Sequence, residues 1–305
     1  GFAILVYNDG NKVEKDRILV TYLAFLIVIV FWGAFEQAGG LMNIYASQKT
    51  DLALGNFMVP ASWFQSVNAT FILIFATMVG SFWIWWKKNG YEYSSIFKMA
   101  TGVIIMGLGF LFMSMASNEA AYDSAGEITQ KSAMYWLVFA YLFHTIGELS
   151  SSPVSLSFVT KLAPVKYASL MMGLYFAATG LGGKVAGVLG EISSTFGEYT
   201  IFAGIAIFVG AFIIQNTFRI LLLQRTKELS LLRALGTSKR QIYRLVISES
   251  LFMSVIGSGL GIGLGIGLAV AVKEGLQYFE FGLPDGPLVL TTEAAITGLI
   301  IGVTV

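Results

Sequence analysis

Eight apolar stretches dominate the chain, at about 18–46, 58–86, 96–116, 133–159, 168–192, 199–223, 248–272 and 292–305. All but the last are long enough to cross roughly 30 Å of hydrocarbon as helices. The longest, about 29 residues, must tilt, bend or project beyond the bilayer. Within each stretch the apolar residues run continuously and do not alternate, which argues against a membrane β-barrel. Only 12% of the 305 residues are charged and 56% are hydrophobic, whereas soluble domains carry about a quarter charged residues. The expected fold is an all-α polytopic membrane protein bathed in lipid.

Charge asymmetry orients the spans. With residues 1–17 in the cytoplasm and strict alternation after them, segments 1–17, 87–98, 161–166 and 219–244 hold 15 of the 19 Lys and Arg residues. Lys49, Lys131, Lys184 and Lys273 are the remainder, and of these only Lys184 falls inside a span. This pattern is that of a bacterial cytoplasmic (inner) membrane. The net charge of +1 gives no reason to expect nucleic acid. Cysteine is absent, which excludes disulfides and thiolate metal sites. The chain starts on Gly1 and its last apolar stretch stops at Val305 without a polar flank, so both ends are expected to be cut. Trp63, Trp83, Trp85, Trp86 and Trp136 sit near span ends as interface anchors, and Trp32 lies deeper.

Ionisable groups inside spans are costly, by about 2.5–3.5 kcal/mol on insertion scales, and mark function. Glu148 falls near the middle of the fourth span, and Glu36 lies within the first, flanked by Gly33, Gly39 and Gly40. Glu36 either pairs with a basic residue of a neighbouring helix or takes part in substrate or proton movement. His144, Glu148 and Ser152 are spaced i, i+4, i+8 and are expected to form one polar stripe. Pro153 follows, so the helix is expected to bend there. His144 is the single histidine, either a proton-titrating group or a hydrogen-bonded spectator. Gln65 and Asn68 share a face of the second span, where their amides serve interhelical bonds or a peptide backbone. Tyr175 either lines a pocket or packs, and Lys184 either snorkels outward or meets a carboxylate.

Five runs carry a resemblance. Trp32–Gln37, Trp63–Asn68, Gly147-Glu-Leu-Ser-Ser-Ser-Pro153, Thr160-Lys-Leu-Ala-Pro164 and Met171-Met-Gly-Leu-Tyr175 resemble the proton-dependent oligopeptide transporters of the major facilitator superfamily. The resemblance covers about 1–207 and implies the carboxyl-terminal six-helix half of that fold. It implies proton-coupled uptake of di- and tripeptides. Glu148 would bind the peptide amino terminus, with Asn68, Ser152, Tyr175 and Trp32 at the substrate, and Glu36, Lys184 and His144 in proton coupling or gating. Many members have Trp where Tyr175 stands. The family's amino-terminal bundle carries a Glu-x-x-Glu-Arg-Phe motif that does not occur here. A partner bundle is therefore expected, and the chain alone is not expected to transport. No enzyme is implied, and no cofactor beyond the coupling proton.

Near residue 217 the composition changes. Gln224-Arg-Thr-Lys-Glu-Leu-Ser-Leu-Leu-Arg-Ala-Leu-Gly236 is a basic amphipathic helix with a glycine stop, followed by a Gly-rich span from Ile256. By itself such a segment lies on anionic headgroups or docks on a partner. With Val209–Phe218 and the run to Ile242 it resembles the FtsX-like permeases of ABC transporters, over about 209–305. That resemblance implies a cytoplasmic coupling helix over 219–244 that docks an ATPase subunit through Arg225, Lys227, Glu228, Arg233, Lys239 and Arg240. The chain has no phosphate-binding Gly-x-x-x-x-Gly-Lys-Ser/Thr loop of its own. The expected organisation is a transporter half over 1–207 and a permease segment over 208–305. A natural fusion, an engineered chimera and a non-functional composite all fit, and mass spectrometry of a peptide spanning Phe202–Arg219 separates a real join from an artefact.

Overall fold

The computed structural model describes residues 2–9, 11–91, 93–224 and 226–278; the span expected at 292–305 lies outside them. The helices are α1 (Phe2–Asp9), α2 (Lys12–Phe35), α3 (Leu41–Lys49), α4 (Phe64–Lys88), α5 (Ser95–Glu119), α6 (Met134–Leu162), α7 (Ala168–Phe196), α8 (Glu198–Gln224), α9 (Thr226–Ala234) and α10 (Lys239–Tyr278). Two compact units divide at Ile213 and Ile214.

Local chemistry sets the ends of these helices. The short helix α1 comes first, and α2 opens on a capping box in which Asn11 Oδ1 accepts from the Glu14 amide and Glu14 Oε2 from the Asn11 amide, both at 2.9 Å. Ser94 caps α5 with a single bond, its Oγ accepting from the Phe97 amide. Ala163 is extended ahead of Pro164 and ends α6. Gly197, at φ +78°, turns the chain between α7 and α8, in a conformation that side chains rarely adopt.

The first expected span is not one helix. It stops at Phe35, makes a 3-10 turn over Glu36–Ala38, and resumes as α3 after Gly39 and Gly40. The carbonyl of Glu36 accepts from both glycine amides at 3.2 Å. Apolar residues continue on both sides of the turn, so composition alone hides the break. Among the described residues four segments are long and apolar enough to cross a membrane: Lys12–Lys49, Ala61–Lys88, Ser95–Glu119 and Val165–Phe196. Although α6 is 29 residues long, it is not among them, because His144, Glu148 and the serines around Pro153 dilute its hydropathy. Pro153 lies inside α6 as one uninterrupted helix.

In the first unit α6 is the hub, packed on α5, α4, α2, α7 and α3, and α2 packs on α7. Glycines bring these pairs together. A Cβ on Gly102 of α5 would lie 2.6 Å from the Gly147 carbonyl oxygen of α6, and one on Gly182 of α7 would lie 2.7 Å from Cβ of Trp32 on α2. Where lipid is as apolar as leucine, such close approach is what holds helices together. The external loop expected at 117–132 contains a small hairpin of β4 (Ala121–Tyr122) and β5 (Ile128–Gln130), with Asp123 Oδ1 accepting the Ala125 and Glu127 amides. Here β4 and β5 follow β1 (Thr50–Asp51), β2 (Ala53–Leu54) and β3 (Phe57–Met58). β2 and β3 form an antiparallel pair, while β1 runs parallel to β6 (Ser132–Ala133).

In the second unit the basic segment is not a single helix. Its first residues continue α8, and α9 ends at Ala234, where Gly236 at φ +94°, with the Gly236 N→Arg233 O and Thr237 N→Leu232 O bonds, makes a Schellman-type stop. Ser238 then caps α10: its Oγ accepts from the Gln241 amide, and Gln241 Oε1 accepts from the Ser238 amide.

Candidate functional site

The groups that converge lie on α4 and α6. Asn68 Nδ2 donates to Glu148 Oε2 at 3.1 Å, and the Thr145 hydroxyl lies 2.5 Å from Asn68 Oδ1 and 2.8 Å from the Tyr141 carbonyl oxygen. One amide thus touches both Thr145 and Glu148, a helical turn apart. α4 buries only Phe64 and Trp83, so Asn68 and Glu148 stay half-buried. Among the described residues no basic side chain pairs with Glu148; the ion pairs there are Lys49–Glu198 and Lys166–Asp9, each at 2.7 Å. A carboxylate left unneutralised beside an amide is a ready acceptor for an ammonium group.

Gln65 does not join Asn68. Its Nε2 lies 3.5 Å from the Ala38 carbonyl oxygen, which also accepts from the Tyr141 hydroxyl at 2.9 Å. Gln37 Nε2 donates to Gly33 O and, across to α7, to Ala186 O at 3.1 Å. The interrupted segment is therefore tied to α4, α6 and α7.

The expected stripe is split. His144 is 1% exposed, lies against Phe110 with ring centroids 4.6 Å apart, and is so close to Gly109 that a Cβ there would stand 2.6 Å from its Cδ2. Among the described residues neither ring nitrogen has a hydrogen-bond partner. Residues at i, i+4 and i+8 drift by about 40° per step around an α-helix, so His144 turns to α5 while Glu148 reaches α4 and Ser152 stays half-buried. Tyr175 is 4% exposed; its hydroxyl bonds Ser155 at 3.0 Å, not Ser152, and its ring meets Phe25. Trp32 is half-buried, edge-on to Phe31 and Phe35. Glu36 and Lys184 are both exposed, Glu36 on the turn after α2 and Lys184 on α7.

Two features escaped the sequence reading. Thr145 is one. The other is Lys49–Glu198, which joins α3 to α8 with about a fifth of each side chain exposed, 17% and 19%, and with Lys49 over the Tyr122 ring. Lys49 was already conspicuous as a cation outside the basic segments. In the second unit Glu228, Arg233, Lys239 and Arg240 are exposed, Lys227 is on α9, and Arg225 lies outside the described residues. Among the described residues no group of three or more His, Asp or Glu side chains could hold a metal ion.

The first unit is thus a bundle of apolar helices in which α4 and α6 pair one amide with one carboxylate. A family model described as the POT family matches residues 3–204, and the chain belongs to that family. A second model, FtsX-like permease C-terminal, matches residues 200–305. The chain is 33% identical over 203 residues to the uncharacterized transporter YclF of Bacillus subtilis (strain 168), covering 64% of this chain and 39% of that one. It is 33% identical over 187 residues to the peptide transporter YePEPT of Yersinia enterocolitica, covering 61% and 36%. It is 31% identical over 184 residues to a di-/tripeptide transporter of Lactococcus lactis subsp. cremoris, covering 58% and 35%. The chain thus spans less than two fifths of the length of each of these relatives. Among solved structures, peptide transporter POT in complex with sulfate superposes with a TM-score of 0.63 at 25% identity, over 71% of this chain and 42% of that one. A POT family transporter in complex with 5-aminolevulinic acid gives 0.62 at 22%, over 74% and 45%, and so speaks for the fold.

Proposed function

We propose that the first unit is one wall of a proton-coupled di- and tripeptide transporter of the cytoplasmic membrane, completed by a second six-helix bundle. The observation that carries this reading is Glu148, half-buried on the hub helix, bonded to the Asn68 amide and unneutralised by any basic side chain among the described residues. A carboxylate so held suits a peptide's ammonium, and an amide suits its backbone. Relatives named peptide and di-/tripeptide transporters support the substrate class. Glu36 and Lys184, both exposed, are proposed for coupling.

Binding of radiolabelled dialanine to the purified chain in lipid nanodiscs tests this. Glu148→Gln is expected to weaken binding at least about tenfold, the scale of one charge-assisted hydrogen bond, and N-acetyl-dialanine is expected not to bind. Equal binding by Glu148→Gln overturns the reading. Liposomes holding this chain alone are expected to take up no dialanine.

The FtsX-like match favours a second reading, of an ABC permease segment. Exposed Arg233, Lys239 and Arg240 flank the glycine turn and offer a basic docking face for an acidic ATPase surface. In that case Arg233→Glu or Lys239→Glu abolishes recruitment of an ABC ATPase subunit in pull-downs; unchanged recruitment removes the reading.

A further inference from the structure

The Thr145 hydroxyl has one proton and two acceptors within reach, Asn68 Oδ1 at 2.5 Å and the Tyr141 carbonyl oxygen at 2.8 Å. It donates to one of them at a time. Asn68 in turn has an acceptor on one side and a donor on the other, and a half-turn about χ2 exchanges them with little movement of heavy atoms. Glu148 completes the row, 3.1 Å from the Asn68 amide.

With any carboxyl proton placed on Oε2, the oxygen that faces Asn68, only two arrangements satisfy every donor of the row. With Glu148 ionised, Asn68 Nδ2 donates to Oε2, so Oδ1 faces Thr145 and receives its proton. With a proton from water on Oε2, the carboxyl becomes a donor; Asn68 turns Oδ1 toward it and Nδ2 toward Thr145. The Thr145 oxygen then accepts, and its proton goes to the Tyr141 carbonyl. Any mixed arrangement sets two donors or two acceptors against each other. We infer that Thr145 is a positioning residue whose hydroxyl, through Asn68, follows the protonation of Glu148. This rests on the proposed reading of Glu148 as the ammonium-binding carboxylate of the site, open to a proton when no ammonium group is bound.

The surroundings leave this row to itself. α4 has no ionisable side chain between Phe64 and Trp86, and α5 none between Met99 and Asn118. α2 offers Tyr22, the charged residues Lys12, Glu14, Lys15, Asp16 and Arg17 of its first turns and, just past its end, exposed Glu36; α3 offers Tyr45, bonded to Ser132, and Lys49, paired with Glu198. α7 offers Tyr175, bonded to Ser155, with Lys184 and Glu191 exposed. On α6 itself Tyr141 bonds Ala38 O, His144 faces α5, and Tyr135 and Lys161 lie at the two ends of the helix.

The test is infrared pH-difference spectroscopy of the purified chain in lipid nanodiscs. The carboxyl band is assigned by its loss in Glu148→Gln and the amide band by its loss in Asn68→Ala. The two bands are expected to titrate with one midpoint in the natural protein and in Thr145→Ser, which keeps the hydroxyl. In Thr145→Val the amide band is expected to stop following the carboxyl, whose midpoint moves by about one pH unit, tenfold in proton affinity. Thr145→Ala carries the same test should the valine variant not fold. A Thr145→Val spectrum that overlays the natural one overturns the proposal, as does Thr145→Ser behaving like Thr145→Val. Failure of dialanine binding with the spectra as expected would sink the peptide reading and leave the relay standing.

Discussion

Gly102 and Gly147 meet backbone to backbone. A Cβ on Gly147 would stand 2.5 Å from the carbonyl oxygen of Gly102, and one on Gly102 would stand 2.6 Å from that of Gly147. Because Gly147 immediately precedes Glu148, this contact sets how deep the hub helix seats its carboxylate.

Alanine at Gly147 must push α5 away from α6, at about 1–3 kcal/mol for overpacking. The expected result is a lower unfolding temperature for the purified Gly147→Ala protein in detergent. Gly180→Ala, on α7 with nothing within 4 Å of its added Cβ, is expected to be neutral or slightly stabilising. Equal unfolding temperatures for the two variants would contradict the packing described.

The Lys49–Glu198 pair is the sheltered ion pair of the first unit, and a double-mutant cycle isolates it. Lys49→Gln and Glu198→Gln are each expected to destabilise, with a coupling of about 1 kcal/mol that shrinks as salt is added. Strictly additive single effects would mean that the two charges do not interact.

Asp9 is held below the usual carboxylate range, first by the hydrogen bond from Lys166, then by that from the Tyr167 hydroxyl, and by the charge of Lys166. A lowered carboxylate stabilises above its unfolded value, about 3.9. That contribution fades as the pH falls through the lower, folded value. Carboxyl carbon NMR of Asp9 should show the titration midpoint rising in Lys166→Met, and rising less in Tyr167→Phe. An unchanged midpoint in Lys166→Met refutes the assignment.

Gly236 sits at φ +94°. Gly236→Ala forces a Cβ into that left-handed turn at about 1–2 kcal/mol, while Asn, which tolerates it, costs less. Thermal melts followed by circular dichroism should rank the natural chain above Gly236→Asn and Gly236→Ala last. Any other order of these variants argues against the stop.

The spans were legible because apolar runs and Lys/Arg asymmetry are properties of composition, and the glycine stop at Gly236 because its chemistry is local. The break at Glu36–Gly40 was not, since Leu41–Ala46 keeps the run apolar and only the paired glycines hinted at it. His144 was grouped with Glu148 by spacing, but four-residue steps drift around a helix, and Gly109 opened a space for it on the other side. Glu148 and Asn68 were readable as costly polar groups in a membrane. Thr145 was not, because a threonine that bonds its own helix looks idle until a partner 77 residues away comes into view. Lys49 and Glu198, 149 residues apart, pose the same problem.

A broken helix in hydrocarbon releases backbone carbonyls that must find donors elsewhere. The one released at Ala38 finds Tyr141 on α6 and Gln65 on α4, the two helices that also carry Glu148 and Asn68. Moving α4 away from α6 therefore strips a donor from the break in the same motion. The bend in the first span and the seating of α4 against α6 are thus fastened at one atom, the carbonyl oxygen of Ala38.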